Sequence, residues 1–206
     1  MAFTSYSDLK TTVAGYLARS DLTTQIPDFI QLAEIRLRRD VRIRQMLKTV
    51  TTSTTSGDAT VELPNDFLEV RDFVVTGSPV QPLAYASPSA FNRDTRSWSS
   101  GKPLDYTVLA NEFQLSPIPD GVYTLKLLYY AAPAYLSDSN TSNVFLANTP
   151  DALLYGALIE AEPYLMNDAR VNTWSVMFDR AMSSLTRSDE QGQYSGVPLA
   201  MRTVTR

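Results

Sequence analysis

Gln25–Lys48, QIPDFIQLAEIRLRRDVRIRQMLK, is the stretch whose reading decides the fold. Pro27 stands where a first helical turn accepts proline, because the amide it lacks would have no intrahelical partner there. At about 100° per residue, Ile26, Phe29, Ile30, Ala33, Leu37 and Val41 fall on one arc, a stripe wide enough to bury. Arg36, Arg38, Arg39, Arg42 and Arg44 crowd the second half. Arg38, Arg39 and Arg42 project opposite the stripe, toward solvent or a partner. Glu34 precedes Arg38 by four residues, the favourable order for a helix ion pair. Asp40 projects toward the edge of the stripe, with Arg36 one turn before it and Arg44 one turn after. A charge left unpaired near a packed face costs several kcal/mol, so the two arginines are expected to clasp it. Ile43, Met46, Leu47 and Val50 define an arc rotated by roughly 100°. The expectation is therefore a helix that runs on to Lys48 and changes its packing partner near residue 42. The arginines read either as a solvated helix face or as a guanidinium surface for carboxylates or phosphate.

Working outward, Ser5 and Asp8 bracket a helix start, and Leu9, Val13, Tyr16 and Leu17 recur at helical spacing through about Arg19. Ser20-Asp21 breaks that run, giving a helical hairpin at the N-terminus. From Thr49 the texture changes. Thr49–Thr55, the turn Ser56-Gly57-Asp58 and Thr60–Leu63 predict a hairpin, and Phe67–Thr76 a further strand. Leu104–Leu109 and Glu112–Leu115 flank Ala110-Asn111 as a second hairpin, with Tyr106 and Val108 facing Phe113 and Leu115. After the turn at Pro117–Gly121, Val122–Ala131 is the clearest strand. Short connections predict antiparallel pairing. Ser87–Lys102 reads as a polar loop with a helical turn at Ser89–Asp94 and Trp98 folded back, and Leu136–Phe145 as another loop.

Helix returns at Thr149-Pro150-Asp151, an N-cap, a first-turn proline and an acid. Its stripe is Leu153, Leu154, Ala157, Leu158, Ala161, Tyr164 and Leu165, and Pro163 predicts a kink or early end. A last helix starts at Asn167-Asp168 and carries Val171, Trp174, Met177, Phe178, Ala181, Met182 and Leu185. After Ser188 the two glycines and Pro198 predict an extended tail, in which Leu199, Met201 and Arg202 are candidate docking residues.

The class is α+β: N- and C-terminal helical hairpins forming a helical bundle, an inserted antiparallel β-sheet domain, and an extended C-terminal tail. The boundaries are 1–48, 49–145, 146–188 and 189–206.

The chain has 206 residues, 44% of them hydrophobic and 19% charged, with no apolar run of the ~20 residues a bilayer crossing needs. The N-terminal MAFTSYSDLK lacks the basic region and apolar core of a secretory signal. Cysteine and histidine are both absent. That excludes disulfides, thiolate or imidazole metal sites, thiol nucleophiles and Ser-His-Asp chemistry. Catalysis would rest on carboxylates: Glu62, Asp66, Glu69 and Asp72 around one strand, or Glu160 and Glu162 on one helix. Acids at strand edges more often keep an edge soluble. No nucleotide or calcium-loop motif occurs. No catalytic, cofactor or metal residue is assigned. Net charge is −4, so the basic helix is an exception on an acidic chain, suited to an acidic protein surface better than to a nucleic-acid clamp.

The order of elements carries a resemblance. A helical hairpin with YLARSDLTTQIPDFIQLAEIRLRRDVRIRQM precedes a sheet with PLDYTVLANEFQLSPIPDGVYTLKLLYYAAPAYL. A second hairpin with TPDALLYGALIEAEPYLMNDARVNTWSVMFDRAM follows. Over residues 5–188, most specifically in AEIRLRRDVR and in FQLSPIPDG paired with LLYY, the chain resembles the head-to-tail adaptor (connector or gatekeeper) proteins of short-tailed bacteriophages. The resemblance implies a virion protein, assembled in the host cytoplasm, forming a twelve-fold ring of its own copies under the portal vertex. Such a ring binds the portal protein and the tail or nozzle protein, passes genomic DNA without sequence-specific binding, and needs no membrane and no cofactor. Arg36, Arg38, Arg39, Asp40, Arg42, Arg44, Leu199, Met201 and Arg202 are the candidate interface residues. The alternatives are a DNA-binding module using the arginine-rich helix 36–44, and a small carboxylate enzyme.

Overall fold

A computed structural model describes residues 4–93, 99–166 and 170–194. Ser5 starts α1 (Tyr6–Leu17) with a reciprocal capping box, its side chain accepting from the Asp8 amide while Asp8 accepts from the Ser5 amide. Next comes α2 (Ile26–Asp40), with Pro27 in its first turn as expected. The β-rich segment runs through β1 (Leu47–Ser53), β2 (Thr60–Glu62), β3 (Phe67–Val75), β4 (Gln81–Pro82) and β5 (Ala84–Tyr85). After α3 (Pro88–Arg93) it continues with β6 (Ser100–Gly101), β7 (Asp105–Leu109), β8 (Glu112–Ser116), β9 (Ile118–Pro119) and β10 (Thr124–Ala131). The chain returns to helix with α4 (Val144–Asn148), α5 (Pro150–Leu165) and α6 (Val171–Tyr194). The α+β class is as predicted. Trp98 and the Asn167-Asp168 helix start lie outside the described residues.

The chain divides into two compact units. The first joins the chain up to Gln45 with the chain from Pro133; the second is Met46–Ala132. The second is shorter than the predicted 49–145 insertion, because residues 133–143 are held to α2 in the first.

In the helical unit α5 is apolar through most of its length, with Ala152, Leu153, Leu154, Gly156, Ala157, Leu158 and Ala161 all buried. A helix of that composition belongs in the middle, and α1, α2, α4 and α6 all pack on it. Gly156 sets how close they come: a Cβ there would lie 3.0 Å from the Ala33 Cβ and 3.4 Å from the Phe178 ring. The whole predicted α2 stripe, Ile26, Phe29, Ile30, Ala33, Leu37 and Val41, is buried. Pro163 stays inside α5, and the helix ends two residues later, at Leu165, with Met166 as its C-cap at φ 55°.

In the β unit the strand orders are β1-β10-β3-β4 and β2-β8-β7-β5, with β6-β9 a short parallel pair. Antiparallel pairing dominates, although β5 and β7 also run parallel. The β7–β8 hairpin has the predicted register, Tyr106 opposite Leu115 and Val108 opposite Phe113. Phe73, Val75, Leu125, Leu127 and Tyr129 from the first sheet meet Val61, Tyr106, Phe113 and Leu115 from the second in one core. The predicted hairpin over 49–63 is corrected: β1 pairs with β10 and β2 with β8, in different sheets. The cause is the connection between them. Thr54 donates its amide to the Tyr123 carbonyl (2.9 Å) and its hydroxyl to that of Gly121 (2.9 Å), and the Gly57 amide donates to Pro119 (2.7 Å). Tied to that turn, residues 54–59 cannot fold the two strands back on each other.

Candidate interaction surface around the arginine-rich helix

Helix α2 ends at Asp40, eight residues short of the predicted Lys48. Val41 turns extended (φ −108°, ψ 133°), and Arg42 donates to the carbonyls of Arg38 (2.8 Å) and Val41 (2.7 Å). Those acceptors would otherwise lack intrahelical donors. The run Ile43, Met46, Leu47, Val50 is therefore no helical arc: a 3-10 turn covers Arg44–Met46, and β1 begins at Leu47.

Most of the arginines are occupied within the chain. Arg36 reaches Glu160 on α5 (3.4 Å) and lies 5.0 Å from the centre of the Phe178 ring on α6. Arg38 stacks on Tyr135, 3.4 Å from the ring centre, and donates to the Pro133 carbonyl. Arg42 caps the helix, as described. Arg44 lies 4.0 Å from the buried Asp189 carboxylate on α6, to which its amide also donates (2.9 Å). Arg39 is exposed. Of the three arginines expected to face outward together, the structure brings Arg38 and Arg42 back onto the fold and leaves Arg39 on the surface.

Asp40 is not clasped. It is exposed at the end of α2, and Arg36 and Arg44 engage Glu160 and Asp189 instead. Asp40→Ala should therefore melt within about 0.5 kcal/mol of the parent, the usual range for a surface change. A thermal melt checks it.

The buried acid of this helix is Glu34, 1% exposed. Its carboxylate accepts from the Leu136 amide (3.1 and 3.2 Å) and from the Asn143 side-chain amide (2.6 Å). Burial pushes its pKa above the usual carboxylate range, while those two donors and the field of Arg38 pull the other way. The expected Glu34–Arg38 ion pair is thus a distant influence, and the contact that matters is to residues 133–143. Asn143 also accepts from the Leu146 amide as N-cap of α4 (3.0 Å), so one side chain links Glu34 to a helix start.

Asp189 is the second residue the sequence reading passed over. It is buried, and Gln193 donates to its other oxygen (2.9 Å). The predicted tail began at this residue, but α6 continues to Tyr194. Gly192, read as a breaker, is what the packing requires: the Arg44 guanidinium occupies the space a Cβ would take. Leu199, Met201 and Arg202 lie outside the described residues.

Among the acids of the β unit, Asp66 serves the fold. Asp66 accepts from Lys48 (2.7 Å) and from the Tyr129 hydroxyl (2.7 Å). Burial would raise its pKa, yet these two donors hold it below the ordinary value. Burial and the Asp66 carboxylate push the Tyr129 phenol up to about 12. Among the described residues, no three acidic side chains gather as a metal site would need, and no helix is long and apolar enough to cross a membrane.

Helices packed on one central helix, an inserted sheet unit and arginines spent on internal contacts describe a protein built to hold shape and present surface. The chain belongs to the SU10 adaptor protein family, which it matches over residues 4–202. The resemblance to phage head-to-tail adaptors is thereby borne out. No curated protein matches the chain.

Proposed function

We propose that this adaptor assembles as a ring of identical subunits, twelve in number, between the portal and the tail or nozzle protein at the portal vertex. The ring extends the channel through which genomic DNA passes, without sequence-specific binding. Assembly takes place in the host cytoplasm, before the particle is complete. The observation that carries the reading is the family match across nearly the whole chain, from residue 4 to residue 202. The acidic chain supports it too, since a conduit for DNA should not grip phosphate.

The alternative, a DNA-binding module on residues 36–44, loses its support in the geometry. Arg36, Arg38, Arg42 and Arg44 each have a partner within the chain, in Glu160, Tyr135, helix carbonyls and Asp189; Arg44 is exposed beside its partner, and Arg39 is exposed on α2.

Native mass spectrometry and negative-stain imaging of the protein, alone and mixed with portal, test the ring. A monomer in both preparations overturns it. Arg39 is the residue to reverse, because it is exposed and its neighbours are built into the fold. Arg39→Glu should leave the melting temperature within a degree and lower co-sedimentation with portal by about tenfold, ~1.4 kcal/mol of binding. Unchanged co-sedimentation would place the portal contact elsewhere on the chain.

A further inference from the structure

Three arcs of α2 have partners in the chain. The buried stripe packs on α5. Glu34 and Arg38 face residues 133–143, at the Leu136 amide and the Tyr135 ring. Phe29 and Arg36 reach Tyr164 on α5 (ring centres 5.9 Å apart) and the Phe178 ring on α6. The fourth arc makes none of these contacts. At about 100° per residue, Asp28, Leu32, Ile35 and Arg39 fall within roughly 60° of one another, on the side away from the stripe. Asp28 and Arg39 are exposed, Ile35 is half-buried, and Leu32 is 45% exposed.

These four residues recur at alternating spacings of four and three, which lines them up along the helix surface. Their order is acid, apolar, apolar, base. Turned end for end, that order meets itself with opposite charges together. Two copies of α2 laid antiparallel about an axis between residues 33 and 34 set Asp28 of each copy opposite Arg39 of the other. The same operation sets Leu32 of each opposite Ile35 of the other. It also brings the positive end of each helix beside the negative end of its mate. Within one chain Asp28 and Arg39 stand about 16 Å apart along the axis, too far to pair. Neither makes an ion pair among the described residues.

We infer that the outer arc of α2 is a two-fold contact between two copies of the free protein, with Asp28 and Arg39 in reciprocal ion pairs around Leu32 and Ile35. Each copy uses the same patch, so the pair is closed and offers no arc to a third copy. The contact is therefore distinct from that of the ring, whose repeat joins two different faces. It also engages Arg39, the residue assigned above to the portal. That consequence rests on the ring reading: a subunit leaves its two-fold mate before it takes its place under the portal. One helix face is a small interface, at the low end of those that specific complexes use, so the association is weak and depends on concentration.

Sedimentation of the full-length protein over a range of concentrations tests the contact, with Asp28→Arg and Arg39→Asp as separate variants. The parent should pass from monomer to dimer as concentration rises. Each variant sets like charges opposite one another and should associate about tenfold more weakly. Mixed in equal amounts, the two variants should recover the association of the parent, because each supplies the charge the other has lost. A variant that had failed to fold would not be rescued in this way. A parent that stays monomeric overturns the contact. So does a mixture no better than its components, which would leave Asp28 and Arg39 serving only their own helix ends. Portal binding is read in parallel, at a concentration where most of the parent is paired. Asp28→Arg keeps Arg39 and should co-sediment with portal about threefold more than the parent, since a larger fraction of it is free to bind. Equal co-sedimentation overturns the exclusion of portal by the pair. A dimer rescued by mixing, in a protein that forms no ring on portal, upholds the two-fold contact and removes the ring instead.

Discussion

Glu34→Ala is expected to lower the stability of the helical unit by about 2 kcal/mol, chiefly because it leaves the Leu136 amide without an acceptor, while the Asn143 side-chain amide keeps only the Ala134 carbonyl (3.0 Å). A buried donor so orphaned costs ~1–3 kcal/mol, and part of that is returned because a buried carboxylate is removed. Glu34→Gln keeps the volume and one oxygen, so its cost should be smaller, about 1 kcal/mol. The pair also reports the charge. Burial raises the pKa of Glu34 in the folded protein, so its contribution is fully present below the unfolded value and is lost as pH rises through the folded one. Wild type should therefore gain on the glutamine variant as pH falls from 7 toward 4. The depressed carboxylates, Asp8, Asp21, Asp58 and Asp66, lose stability in the same direction, but both proteins share them and they cancel in the difference. Urea titrations at several pH values measure it, and a difference independent of pH contradicts the burial argument.

Phe73→Ala should cost about 3–5 kcal/mol, the range for emptying an aromatic site in a core that collapses only partly. Phe73 is 2% exposed, and its ring lies 5.2 Å from Tyr106 and 4.8 Å from Phe113. Tyr106 and Phe113 are themselves in edge contact at 5.8 Å, so the three rings form one cluster joining the two sheets. A loss of that size is a large part of the total stability of a typical domain, ~5–15 kcal/mol. Val122→Ser, at a position 75% exposed, is the control and should change little. Denaturant midpoints followed by far-UV circular dichroism compare the two. A midpoint for Phe73→Ala near that of the parent would mean the sheets are held together elsewhere.

The α2 stripe was legible because a helix repeats and burial follows the repeat. Glu34 carried the same signal. It falls between Ile30 and Leu37 on the buried arc, yet its charge and its spacing from Arg38 drew the reading toward a surface ion pair. Asp40 failed for the opposite reason. Its projection was extrapolated along a helix that ends at that very residue, once Val41 goes extended and Arg42 caps the carbonyls. The β7–β8 hairpin could be read because a two-residue turn fixes register locally, with Ala110 at φ 53°. The partners of β1 and β2 could not. Their pairing depends on Thr54 and Gly57 reaching the turn at residues 119–123, more than sixty positions away. Asp189 was hidden by Gly192: a glycine near a chain end reads as a breaker unless something, here Arg44, needs the room.

The inserted unit starts and stops at one point, since Leu47 pairs with Tyr130 at the head of β1 and the foot of β10. That closure has a consequence for the order of events at the ribosome. The stripe of α2 is packed by α5, whose Leu158 is made more than a hundred residues after Ile30. At about 5–20 residues per second, translation leaves that stripe without its partner for roughly ten seconds. Every strand of the β unit has emerged by then, and its pairings are all internal to Met46–Ala132. The sheets therefore close first and bring residues 46 and 132 side by side, so the late-made helix begins its search tethered near the early one. A connection of nearly ninety residues then acts, for loop-closure entropy, as a very short one.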